Sequence, residues 1–504
     1  MAHSRTFKTT ILSFGRILTT FSGLISIVVL SRLFSKQDYA TYRQTLLVYT
    51  FIAPLLASGL PQSLYYFIPR DRNNSRSILM GNLLMLFLIG IIFMVAILFG
   101  GNHLIAKKFS NPALASLLLI YSPYALLALP VLNINACLMS CDRVKTLVGY
   151  NISSRFFTVI LVVGLVLVWR TPKASIVATV LAELIVFVPA MILMYRATVG
   201  AAWNFNIGNL WQQVKYSVPL GFASGLGKVD MSLDKLIVSS MCAPDIFAVY
   251  VNGSMEIPLI GVLTGSITSV LLPDIVRFYK EDNKTAALEL WKRASVKCAM
   301  VLLPVMCFLM VMASEIMTIL FSAKYAESVR PFRVYLLLLP IRVVTWGTML
   351  MAAGKTRLVL YNMIGGLVLN LGLSVILVHQ IGYIGAVLGT VMAIYIWNVP
   401  FNIIAISKLY SVSFWKILPF VELFKIMLVG ILASVICFFK VYLPISNSII
   451  TLCIAVPAYI VVLLILMLKF KLLKVEDITV AISRLVAEIS GGKILLKKVI
   501  FKNK

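Results

Sequence analysis

The sequence predicts an all-α integral membrane protein of about fourteen transmembrane helices. Three observations predict it. Hydrophobic residues make up 61% of the chain and charged residues only 12%, with a mean hydropathy of +0.98, whereas a soluble domain carries roughly 25% charged residues. Apolar windows of the ~20 residues needed to cross a bilayer recur from Thr10 to Lys469 with only short polar joints, so no soluble domain fits anywhere. Basic residues gather in alternate joints, as the positive-inside rule requires of loops that stay in the cytoplasm.

In chain order the windows lie near 10–33, 43–69, 78–100, 115–141, 150–169, 174–196, 215–241, 247–274, 297–320, 331–353, 358–379, 383–407, 419–440 and 446–468. Charged joints close them: Arg32, Lys36 and Arg43 after the first, Arg70 to Arg76 after the second, Lys107 and Lys108 after the third, Arg143 and Lys145 after the fourth. Arg170 and Lys173 follow the fifth, Arg196 and Lys215 the sixth, and the charged stretch 277–297 the eighth. An even count puts both termini on one side. With that side cytoplasmic, 28 of the 45 Lys and Arg fall in inside segments and 11 in outside joints, which favours cytoplasmic termini. Arg16 interrupts the first apolar run and no small-residue cleavage site follows it, so the first helix is not expected to be a cleaved signal.

The net charge of +27 is spread over joints and tail and gathers in no polar module, which argues against nucleic acid. The cysteines fall mostly within apolar windows and show no disulfide or metal spacing. The joint KEDNKTAALELWKRASVK (Lys280–Lys297) reads as a helix lying in the membrane interface with Leu288 and Trp291 toward lipid. The tail after Lys469, with Ile478, Ile482, Leu485 and Ile489 at helical spacing and a Lys-rich end, reads as a basic amphipathic anchor.

A short repeat divides the chain. RLFSKQDYATY (Arg32–Tyr42) follows the first window and SMCAPDIFAVY (Ser240–Tyr250) the seventh, each placing an aromatic, Ala, a spacer and Tyr at the start of the next helix. Six-helix copies insert with the same orientation, which predicts two six-helix lobes related by a pseudo-twofold along the membrane normal, with a site between them. The expected units are an N-lobe over 1–200, a C-lobe over 201–410, two additional spans over 411–470 and the tail 471–504.

At these residues, and at SGLPQSLYYFIPR (Ser58–Arg70), LDKLIVSS (Leu233–Ser240), LLPDIVRFYKED (Leu271–Asp282), AAGKTR, LVLNLGLSVIL and IGYIGAVLGT (Ile381–Thr390), the chain resembles the oligosaccharide flippases of the multidrug/oligosaccharidyl-lipid/polysaccharide exporter superfamily. The ordered set covers about residues 10–410. It departs at Ala40, where the family usually has Gly. The resemblance implies alternating access of two lobes in a bacterial inner membrane, with an undecaprenyl-diphosphate-linked oligosaccharide as substrate. Membrane lipids and other polysaccharide assembly proteins are the remaining expected partners.

A pyrophosphate-linked sugar needs a wet, cationic cavity. Charges inside spans default to function or pairing. Arg342 lies about ten residues into its window after Pro340, where snorkelling is hardest, and is the leading candidate for pyrophosphate contact, against pairing with Glu183 or an aspartate of the seventh span. Arg16 shares a polar stripe with Thr19, Thr20, Gly23 and Ser26, or snorkels to the interface. Arg155 lies shallower. The seventh span carries Lys228 and Lys235 on one face and Asp230 and Asp234 on another. The lysines are expected to meet substrate and the aspartates partners or a coupling cation, unless all four are ion pairs that fix the lobe. Glu183 and Glu256 are mid-membrane carboxylates that carry protons or neutralise the arginines. Asn370 with these aspartates resembles the oxygen sets that bind Na⁺ in parts of the superfamily. No cofactor is expected beyond Na⁺ or H⁺ as a coupling ion.

Six basic residues within spans (Arg16, Arg155, Lys228, Lys235, Arg342 and Lys425) stand against Glu183, Asp230, Asp234 and Glu256. That balance favours an anionic substrate over a drug or cation antiporter of the same superfamily. A membrane-bound polymerase or ligase needs a sizeable outside loop and an acid/base constellation. The outside joints are short and His3, His103 and His379 are scattered, so a transporter is expected and not an enzyme.

Overall fold

Ser35 ends one helix and starts the next: its hydroxyl accepts from the Asp38 amide at 3.1 Å, capping an orphan donor at a helix start. Such punctuation sets the order of helices in the computed structural model, which describes residues 2–57, 59–201, 207–255, 257–442 and 447–473. The first six spans are α1 (Ala2–Leu33), bent α2 (Lys36–Leu56) and α3 (Leu60–Arg70), α4 (Ser75–Ala96) continued by α5 (Asn102–Lys108), α6 (Ala113–Tyr121) with α7 (Pro123–Val131) and α8 (Asn133–Ser140), α9 (Val144–Trp169), and α10 (Pro172–Ala197). The next six are α11 (Ile207–Met241), α12 (Pro244–Gly253) with α13 (Pro258–Lys280), α14 (Lys284–Val311) with the short α15 (Ala313–Phe321), the broken run α16 (Val329–Leu336), α17 (Leu339–Arg342) and α18 (Trp346–Ala352), then α19 (Thr356–Ile381), and α20 (Ile384–Ala393) with α21 (Val399–Tyr410). After the short α22 (Phe414–Ile417) come α23 (Phe420–Ser434), α24 (Phe439–Tyr442) and α25 (Ser448–Lys469).

Among the described residues ten helical segments are long and apolar enough to cross a membrane, or twelve if two pairs bent by 42° each count as one span. Helix α11 and the α12–α13 pair occupy the places predicted for the seventh and eighth spans, so the order is compatible with fourteen. The protein is a multi-pass membrane protein, as its composition requires. The basic tail predicted over 471–504 lies outside the described residues beyond Leu473.

The bend between α2 and α3 is made by Gly59. Its φ of +72° is a left-handed conformation, open to glycine at little cost, and a Cβ there would lie 2.5 Å from the Ser217 carbonyl oxygen of α11. In the tenth span Leu339 and Pro340 start α17 after a 42° bend, since proline breaks the helical hydrogen-bond ladder.

The expected interfacial helix over 280–297 is corrected by the structure. From Lys284 the chain runs as one helix into the ninth span. Leu288 is buried and Trp291 fully so, its indole N–H donating to the Thr345 carbonyl and its ring meeting Trp346 edge to face at 5.8 Å. Apolar spacing marked the correct face of this helix, but packing against α18 and not lipid covers it.

The two copies of the sequence repeat face each other. In α2, Tyr39 and Ala40 are fully buried and Tyr42 nearly so; in α12, Phe247, Ala248 and Tyr250 are fully buried. The Tyr39 hydroxyl donates to Asn252 Oδ1 at 2.8 Å across this contact. Just below, Gln44 Nε2 donates to Ser239 Oγ at 3.0 Å, and Asn111 Nδ2 donates to Gln44 Oε1 at 2.7 Å. Lys324 reaches the Phe34 carbonyl and Arg32 the Ile319 carbonyl. All these groups lie at the helix ends predicted to face outside, so the lobes are joined there.

Candidate functional site

On the cytoplasmic side of this closure, as the topology predicts it, the lobes part around a cavity of about 430 Å³. Helices α2, α3 and α8 supply Thr50, Gln62, Tyr65 and Asn135, and α11 supplies Gly225 and Lys228. The Gly59 bend turns Gln62 and Tyr65 inward. Gln62 Oε1 is buried without a hydrogen-bond partner among the described residues, a costly state that a polar ligand or water relieves. None of the described lining residues carries a carboxylate. Lys228 is exposed into this space and has no ion-pair partner among the described residues.

Arg16 is exposed on α1 and lies within electrostatic reach of Tyr65 at the cavity wall. Its backbone carbonyl accepts from both Thr19 and Thr20 hydroxyls, at 3.0 and 2.7 Å, which ties down two members of the polar stripe. Arg155 of α9 lies flat against α1 at Gly23, where a Cβ would come 2.3 Å from its terminal nitrogen. Its charge reaches Tyr42 and Tyr124. Glu183 of α10 lies beside Tyr124, close enough for the two to interact, and Tyr124 stacks on Tyr121 at 4.6 Å. Arg155 and Glu183 therefore share one tyrosine cluster inside the N-lobe.

The four charges of α11 separate. Lys228 faces the cavity, whereas Lys235 sits 3.7 Å from Asp234 and donates to the Met231 carbonyl. Asp234 is buried and accepts from the Tyr250 hydroxyl at 2.7 Å. Asp230 Oδ1 accepts from Asn370 Nδ2 at 3.1 Å. Asn370 Oδ1 in turn accepts from Ser374 and Thr390 hydroxyls at 2.9 and 3.2 Å, so α11, α19 and α20 meet at one oxygen-rich point. Gly389 makes that meeting possible, because a Cβ there would sit 2.4 Å from Ser374 Oγ.

Arg342 ends α17, away from that cavity, and lines a small crevice with Ile257, Ile260 and Tyr335. Glu256 lies outside the described residues. Sequence reasoning did not single out Gln62, Tyr65, Asn135, Ser374 or Thr390. Neutral polar residues are common in spans, and only the four-residue spacing of Asn370 and Ser374 marked a shared face.

No curated protein matches the chain. Residues 29–330 match the family model described as polysaccharide biosynthesis protein. The chain belongs to that family. Solved structures show the fold this family member shares. It is similar to the lipid II flippase MurJ in an inward closed conformation, at 19% identity over 92% of this chain and 98% of that one, with a TM-score of 0.74. An inward-facing multidrug resistance transporter of the MATE family and MOP superfamily matches at 16% identity over 80% of this chain and 99% of that one, TM-score 0.65. A MOP superfamily transporter from Pyrococcus furiosus matches at 15% identity over 80% of this chain and 96% of that one, TM-score 0.58.

Proposed function

We propose that this polysaccharide biosynthesis protein is a flippase that moves a polyprenyl-diphosphate-linked oligosaccharide from the cytoplasmic to the outer leaflet of a bacterial inner membrane by alternating access. The observation that carries this reading is the cavity between the lobes, with Lys228 on one wall, without an ion-pair partner among the described residues, and polar uncharged groups on the other. A glycan needs hydrogen-bonding walls, and a diphosphate needs a cation with no competing carboxylate. Lys228 and Arg16 meet the diphosphate, and Gln62, Tyr65 and Asn135 meet the sugar. Arg342, Arg155 and Lys235, which do not line that cavity, contact the substrate at other stages of the cycle or hold the lobes.

The membrane potential acts in the same direction. Each charge crossing it is worth about 2.3 kcal/mol per 100 mV, and an anionic head group leaving a negative interior is driven outward. Cation coupling is part of the proposal. The Asp230, Asn370, Ser374 and Thr390 oxygens lie on three helices that must shift if α11 moves, and oxygen ligands suit Na⁺.

Deleting the gene tests the reading. Lipid-linked oligosaccharide is expected to accumulate on the inner leaflet. Altered drug sensitivity without such accumulation would replace the flippase with a cation-coupled antiporter.

A further inference from the structure

The third and sixth spans touch at two levels and part between them. Near mid-membrane, Phe87 of α4 meets Phe187 of α10 edge to face with ring centroids 5.7 Å apart. At the end predicted to be cytoplasmic, Arg76 of α4 lies 4.1 Å over the Tyr195 ring and donates to the Thr198 and Gly200 carbonyls of the chain leaving α10. Between these clips is an open groove of about 480 Å³. Leu83, Phe187 and Met191 wall it, Leu84 and Ile192 are exposed along it, and Arg196 stands at its end.

We propose that this groove binds one anionic phospholipid of the cytoplasmic leaflet, with an acyl chain between α4 and α10 and its phosphate on Arg196. Length fits. From Arg76 to Phe87 the helix rises about 16 Å at 1.5 Å per residue, the depth of one leaflet of a ~30 Å hydrocarbon core. The Phe87–Phe187 contact closes the groove at that depth, which suits an acyl chain and stops a much longer polyprenyl tail. Charge fits as well. Arg196 is exposed, has no ion-pair partner among the described residues and follows Tyr195, an interfacial residue type, at the level where the anionic cytoplasmic leaflet presents phosphate. Arg76 is different: its guanidinium is committed to carbonyls and ring, so Arg196 is the cation left for a head group.

The test is photolabelling of the purified full-length protein in phosphatidylcholine nanodiscs, with phosphatidylglycerol carrying a diazirine acyl chain and the same probe on phosphatidylcholine as control. Label is expected on residues 79–87 and 187–196, stronger for phosphatidylglycerol. Arg196→Gln is expected to remove that preference, about a fivefold drop, while leaving the phosphatidylcholine label unchanged. Leu83→Trp, which fills the groove, is expected to cut labelling by both probes in protein that still elutes as one sharp species. Unchanged phosphatidylglycerol preference in Arg196→Gln would overturn the head-group assignment, and unchanged labelling in Leu83→Trp the acyl-chain assignment. Displacement of the label by undecaprenyl phosphate would give the groove to the substrate tail instead.

Discussion

The hydroxyl of Tyr39 donates to Asn252 at 2.8 Å between the two copies of one short sequence repeat, and both side chains are fully or almost fully buried. This bond joins N-lobe to C-lobe at the end predicted to face outside. The proposed alternating access requires it to break, and a net worth of about 1 kcal/mol for such a bond is small enough for that to happen in every cycle. Tyr39→Phe leaves Asn252 with a buried oxygen unsatisfied beside an amide that already lacks a partner among the described residues. In a cysteine-free background, Gln44→Cys is expected to react several-fold faster with an impermeant maleimide added outside when Tyr39→Phe is present. Equal rates would show that the bond does not hold this end shut.

Gly23 gives the Arg155 guanidinium room to lie on α1. A Cβ at 2.3 Å from its terminal nitrogen must push aside only the tip of a flexible side chain, so Gly23→Ala is expected to change Tm by no more than about 1–2 °C. It relocates the charge, however. Transport in Gly23→Ala is expected to fall as far as in Arg155→Ala, and the double variant to fall no further, because both act on one contact. Additive losses would separate them.

Asp230 and Asn370 are the center of the proposed cation site. Binding of Na⁺ to the folded state alone raises Tm in proportion to RT ln(1 + [Na⁺]/Kd). Replacing choline chloride with NaCl is expected to raise Tm by a few degrees, and Asp230→Asn or Thr390→Val to abolish the rise. The same rise in all three proteins would mean that Na⁺ does not bind here.

Trp291 tests the corrected placement of the charged joint. A fully buried indole with a hydrogen bond to Thr345 costs about 3–5 kcal/mol when truncated. Trp291→Ala is therefore expected to lower Tm sharply and reduce yield, whereas a lipid-facing Trp would tolerate the change.

Much of this architecture was legible in the sequence because the membrane simplifies the physics. Apolar length fixes a span, so the order of helices followed from windows and joints. Partners were not legible. Lys228 and Lys235 share a helix face by spacing, yet only packing shows that Lys235 reaches Asp234 while Lys228 opens on the cavity. Asp234 is bound by Tyr250 of the next helix, a contact no local pattern encodes. The repeat at Tyr39 and Phe247 was visible as a motif, but that its two copies press against each other is a fact of the fold. Trp291 marked a buried face whose neighbour, α18, lies far along the chain.

Translocation in inverted vesicles bears most directly on the function. Vesicles carrying the protein are expected to move a fluorescent polyprenyl-diphosphate oligosaccharide from the outer, formerly cytoplasmic, leaflet to the lumenal leaflet. Lys228→Gln is expected to lose at least about tenfold in rate, as removal of a charged partner predicts, while inserting at the wild-type level. Movement of the glycolipid at the wild-type rate in Lys228→Gln, or none at all in the wild type, would contradict an anionic substrate carried through the cavity between the lobes.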